Sequence, residues 1–161
     1  MIEASDLQGG IVRGYGSGFR VARHLFARVR DPGAARAFLA GLADPVTTEQ
    51  EWGSDRPATT LNVALSFRGL AALGIPDTTL DRFPEEFRCG MEHRAGRLGD
   101  HAPSWDDDLR ALEVVLVVHA QSAEALDEEA GRRRSRGARA LGARPRAACG
   151  VLDRRRAGCD G

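Results

Sequence analysis

Alternation and helical spacing follow one another along most of the chain. From Val21 to Arg30, Val21, Arg23, Leu25, Ala27 and Val29 share one face, and Ala22, His24, Phe26, Arg28 and Arg30 share the other. Period two with Val and Phe enrichment predicts a strand buried mainly on the first face. Asp31-Pro32 then supplies a cap and a proline for the first helical position. Ala35, Phe38, Leu39 and Leu42 follow at helical spacing, so one apolar helix face is predicted, ended by Asp44-Pro45. Val46–Pro57 is polar apart from Trp52 and reads as an exposed connection. Leu61, Val63 and Leu65 alternate with Asn62, Ala64 and Ser66, a one-sided strand. Phe67–Leu73 reads as a short helix, closed by Gly74 and barred from continuing by Pro76.

Phe83-Pro84-Glu85-Glu86-Phe87 starts another helix, with carboxylates in its first turn and Phe87 and Met91 on one face. Leu98 to Asp108 is a polar loop containing Trp105. Within Glu113 to Ala120, the unbroken run Val114–Val118 predicts a central strand covered on both faces. Ser122 caps the last helix. The opening segment, Asp6 to Gly16, is glycine-rich with Ile11-Val12 at its centre and reads as a loop around a short strand. This order predicts an α+β sandwich, helices on one side of a largely antiparallel sheet. A ferredoxin-like layer fits, although it needs one more strand after the last helix and none is visible in the pattern.

Charge divides the chain in two. Its formal net charge is zero, yet residues 1–131 hold 21 acidic side chains against 13 arginines (net −8), and residues 132–161 hold 10 arginines against 2 aspartates (net +8). There is no lysine. Arginine, alanine, glycine and proline make up 22 of the last 30 residues, all encoded by G- and C-built codons. We therefore expect a domain over 1–131 and a tail over 132–161 that is disordered or read out of frame, the frame changing near Gly131. A basic tail contacting nucleic acid or another polyanion and a solvated helical extension remain alternatives. No apolar run approaches the roughly 18 residues of a membrane span. The N-terminus lacks the charged and apolar regions of a secretory signal. Cys89, Cys149 and Cys159 have no zinc-type spacing, and their odd number argues against a disulfide framework. A reduced, cytoplasmic protein is expected.

Several segments together resemble a known family. Asp6-Leu7-Gln8-Gly9, Ile11 to Gly16, His24 to Pro32, Thr60 to Leu65, Gly69 to Gly74, Phe83 to Arg88 with Gly90-Met91, and Arg97 to Asp100 fall in the order found in the dye-decolorising (DyP-type) haem peroxidases. The strand ending Val118-His119-Ala120 also fits, so the resemblance covers roughly residues 5–130. It implies a peroxidase of two ferredoxin-like halves, with most of the first half present here. In that family haem b cleaves hydrogen peroxide and is then reduced by dyes or other bulky organic reductants. A histidine of the second half binds the iron, an aspartate in G-x-x-D-G moves the peroxide proton, and a distal arginine stabilises developing charge. Homo-oligomerisation is left open by the resemblance.

No catalytic, cofactor-binding or metal-binding residue transfers to this chain. Ala157-Gly158-Cys159-Asp160-Gly161 has Ala where the motif begins with Gly, and it lacks the family's flanking residues. His24, His93, His101 and His119 show no paired ligand spacing and read as surface or packing residues. Gly14-Tyr15-Gly16-Ser17-Gly18 lacks the ending of a phosphate loop and reads as a turn. Glu85-Glu86 and Asp106-Asp107-Asp108 need only a helix start and a solvated turn. Cys89 reads as a small buried hydrophobe. The expectation is an inactive, truncated peroxidase fragment that binds no haem alone. The alternative is a non-enzymatic ferredoxin-like module whose basic tail binds nucleic acid or an acidic partner.

Overall fold

The computed structural model describes residue 3, residues 6–12 and residues 14–143. Its first element is a single helical turn, α1 (Gly9–Val12), where a short strand was expected. The turn forms because the Ile11 N–H bonds back to the Gln8 carbonyl at 3.0 Å. A 3₁₀ turn at Gly16–Gly18 leads into β1 (Val21–Val29). Helix α2 (Pro32–Ala40) begins as its sequence dictates: Asp31 accepts a hydrogen bond from the Ala34 N–H at 2.9 Å, and Pro32 fills the first helical position.

Strand β2 (Thr59–Leu65) leads to α3 (Phe67–Ala72), whose first turn is capped by Ser66 on the Gly69 N–H at 3.0 Å. Gly69 is required there because a Cβ would overlap the backbone carbonyl of Glu113. Three helices follow, α4 (Asp77–Leu80), α5 (Glu85–Arg94) and α6 (Asp107–Arg110), before β3 (Val114–Ala120). Helix α7 (Ala123–Gly137), capped by Ser122, then returns to a short strand, β4 (Leu141–Ala143).

The sheet is antiparallel in the order β2-β3-β1-β4, the ferredoxin-like arrangement. Its register puts Val21, Arg23, Leu25 and Ala27 of β1 level with Ala120, Val118, Leu116 and Val114 of β3, and Leu61 of β2 level with Val118. These residues share the face covered by the helices. Ala35 of α2 and Leu126 of α7 complete the core with them. Burial of β3 alternates strictly, with Val114, Leu116, Val118 and Ala120 buried and Val115, Val117 and His119 half-buried. The expectation of a strand covered on both faces is thus corrected: β3 is central, but helices pack on only one side of it.

Two expectations about the C-terminal region are also corrected. The boundary placed at residue 131 lies within α7, which continues to Gly137. Arg133 is nearly buried and pairs with Glu129 one turn earlier, at 2.5 Å, while Arg132 reaches Glu128 at 3.0 Å. Such pairs support a helix that its sparse apolar spacing does not announce. The missing last strand is present as β4, where Leu141 sits level with Val29 and Ala143 with Ala27. It covers only the C-terminal end of β1, so the ferredoxin-like sheet is incomplete among the described residues. Residues 144–161, with the rest of the expected tail, Cys149, Cys159 and the Ala157–Gly161 sequence, lie outside the described residues.

Side chains close the opposite edge of the sheet. The Gln8 carboxamide accepts from the Val63 N–H at 2.7 Å and donates to the Val63 carbonyl at 2.8 Å, pairing as a neighbouring strand would. Thr47 does the same for Leu61, its hydroxyl accepting from the Leu61 N–H at 3.0 Å and its own N–H donating to the Leu61 carbonyl at 2.8 Å. A strand edge left bare is a template for intermolecular pairing, and here both residues occupy it.

Candidate functional site

Alternation along β1, β2 and β3 necessarily produces a second sheet face, carrying Ala22, His24, Phe26 and Arg28, then Thr60, Asn62 and Ala64, then Val115, Val117 and His119. One end of this face is roofed by aromatic rings from the opening segment and from the Val46–Pro57 connection. Tyr15 stacks on Trp52 at 5.9 Å, meets Phe19 edge-on at 5.6 Å and tilts against His119 at 5.1 Å. The Tyr15 hydroxyl donates to Asn62 at 2.8 Å. Trp52 is thus packed against the fold, and the connection is less exposed than its polarity suggests. Beyond the rings, Phe26, Val115 and Val117 are half-buried and Ala64 is exposed, leaving an apolar surface without a helix over it.

His119 sits between the two regions. Its Nδ1 is 3.4 Å from the Thr60 hydroxyl. Burial holds its pKa below the ordinary 6.5, and the nearby His24 lowers it further. The neutral imidazole is therefore the form this face accommodates. The His24 ring stacks on Phe26 at 6.2 Å.

The other residues considered from sequence are dispersed. His93 lies near the end of α5, and His101 lies just before a 3₁₀ turn at Ala102–Ser104. Glu85 and Glu86 open α5, as expected of carboxylates at a helix start. Asp107 lies in α6, within 3.6 Å of Arg110. Cys89 is exposed, which corrects its reading as a buried hydrophobe: α5 buries none of its side chains. Phe87 and Met91 both line a groove beside α3 and α5, but the non-helical Gly90 lies between them, so no continuous helix face joins them, and both are open to solvent. Sequence reasoning missed the roles of Tyr15 and Gln8, whose partners lie 47 and 55 residues away.

His119 is not placed as an axial haem ligand. An axial ligand needs an imidazole nitrogen facing space for the macrocycle and an acid/base group on the other side of the iron. The His119 ring is instead engaged by Tyr15 and Thr60. A groove beside α3 and α5 has no histidine in its lining. Among the described residues, no group of three or more His, Cys, Asp or Glu side chains is placed to hold a metal ion. No described helix is long and apolar enough to cross a membrane.

DyP-type peroxidases are among the solved structures that share this fold. A fungal DyP-type peroxidase from Auricularia auricula-judae superposes with a TM-score of 0.79 at 22% identity, over 89% of this chain and 32% of that one. A dye-decolorizing peroxidase in complex with 2,6-dimethoxyphenol gives a TM-score of 0.74 at 22% identity, over 88% of this chain and 32% of that one. The chain therefore spans about a third of the length of these structures. Comparison with curated proteins returns no match. The family model described as the DyP dimeric alpha+beta barrel domain matches residues 6–140, from the turn before Gln8 to the residue preceding β4. Over that range, the chain belongs to the DyP family.

Proposed function

We propose that this chain supplies the first ferredoxin-like half of a haem peroxidase, and that peroxide reduction coupled to oxidation of dyes or other bulky reductants belongs to a two-half assembly. The observation that carries this reading is the uncovered sheet face. Phe26, Val115 and Val117 form an apolar surface on the side of the sheet opposite α2 and α7. Barrel closure by a second sheet would bury that surface and exclude water from the joint. The chain's own part in the activity is this packing surface and its aromatic roof. The iron ligand and the proton-moving aspartate come from elsewhere, and the chain alone binds no haem and is inactive. Its location is the cytoplasm.

The alternative, a module whose basic tail binds nucleic acid or an acidic partner, is weakened within the described residues. Arg132 and Arg133 are engaged by Glu128 and Glu129, which reduces the charge they offer to a polyanion. The test is titration of the purified chain with hemin, followed by its Soret band and by peroxide-dependent bleaching of an anthraquinone dye. Weak, unsaturable absorbance change without bleaching is the expected result. A one-to-one haem complex that bleaches dye would overturn the assignment of the iron site to another part of the assembly.

A further inference from the structure

Backbone groups along β1 point alternately to its two neighbours. The Val29 N–H donates to the Glu113 carboxylate at 2.6 Å, and the Ala27 carbonyl accepts from the Glu113 N–H at 3.3 Å, so odd-numbered residues face β3. The Arg30 N–H donates to the Ala140 carbonyl at 3.1 Å, so even-numbered residues face β4. β4 ends at Ala143, level with Ala27. The N–H and carbonyl groups of Ala22 and His24 therefore point into an edge that no described residue covers. Gln8 and Thr47 close the β2 edge, and nothing equivalent among the described residues closes this one. Both residues are half-buried, and a bare edge with such groups invites a strand.

The chain itself leaves Ala143 along this edge, running antiparallel to β1. Continued in the same register, residues 144–149 would reach from Phe26 to Val21. Leu141, Ala143, Pro145, Ala147 and Cys149 alternate with Gly142, Arg144, Arg146 and Ala148. The first set falls level with Val29, Ala27, Leu25, Arg23 and Val21, on the helix-covered face where Leu141 is already buried. Pro145 falls opposite Leu25, where its nitrogen would point away from β1, the side of an edge strand that tolerates proline. Arg146 and Ala148 fall opposite His24 and Ala22, and both carry the N–H that those carbonyls need. We propose that residues 144–149 of this chain dock on the bare edge of β1 and pair with Ala22 and His24. Because the edge is separate from the open sheet face, this docking is independent of the peroxidase reading.

The test is amide hydrogen exchange of the full chain, read residue by residue by NMR at two concentrations about tenfold apart. Arg23 and Leu25, which face β3, give the protected reference. Ala22 and His24 are expected to exchange at least about a hundredfold more slowly than an open chain, equally at both concentrations. Arg146→Pro removes an N–H aimed at His24 and should speed His24 exchange by about tenfold or more. Ala147→Pro alters a nitrogen aimed at solvent and should leave that rate within about twofold. If Arg146→Pro fails to fold, the wild-type rates and Ala148→Pro, the same change opposite Ala22, decide. Open-chain rates at Ala22 and His24 would overturn the proposal. So would protection that falls on dilution, which places a second copy on the edge, or equal effects of the inward and outward prolines.

Discussion

His119 shows how one side chain sets a pH response. Its pKa is lowered in the fold by burial and by His24, so the unfolded chain takes up a proton more readily. The stability held by the neutral ring is complete above the ordinary value of 6.5 and is lost as the pH falls below it toward the folded value. Urea unfolding at pH 7.5 and at pH 5 should therefore show a loss on acidification that His119→Gln makes smaller; an unchanged slope would remove His119 from the account. Gln8 is the second residue of this kind. Replacing it by Ala exposes the Val63 N–H and carbonyl at the sheet edge and should cost about 1–2 kcal/mol in urea unfolding. Neither role was legible in sequence, because each depends on a partner distant along the chain. Cys89 was misread for a related reason: cysteine is often buried, but α5 stands off the core.

At the scale of elements, the legible parts carry strong local signals. β1 and β2 alternate over several residues, and α2 has Asp31, Pro32 and a periodic apolar face. Asp31→Ala should remove the bond to the Ala34 N–H and destabilise the fold by about 1 kcal/mol, measured by thermal unfolding against wild type. The misread parts lack such signals. β4 has three residues, Leu141, Gly142 and Ala143, too few to display period two and with only one large apolar side chain. The second half of α7 is rich in arginine and has little apolar face to find. It holds helical form through ion pairs to the preceding turn and through Gly137, which lies close under the Phe38 ring. α1 carries no signal that separates helix from strand, because two adjacent apolar residues have no period at all.

Across the whole molecule, the antiparallel layer with helices on one side was readable, but the extent to which its second face stays open was not. A run of five aliphatic residues in β3 says that a strand is central without saying how many layers cover it. The open face should make the isolated chain self-associate. Val115→Lys, beside exposed Ala64, should reduce light scattering in concentrated solution while changing stability by no more than about 1 kcal/mol. Undiminished scattering would place the association elsewhere. The groove at the other end depends on a backbone feature that contributes no side chain. Gly90 interrupts α5 at φ 72° and ψ 177°, a conformation essentially reserved for glycine. Any side chain there would force a new path on the segment carrying Met91 and Arg94. Mutational drift should therefore run freely through the exposed positions around the groove and stop at Gly90, leaving a fixed glycine among changing neighbours wherever descendants keep the same cleft.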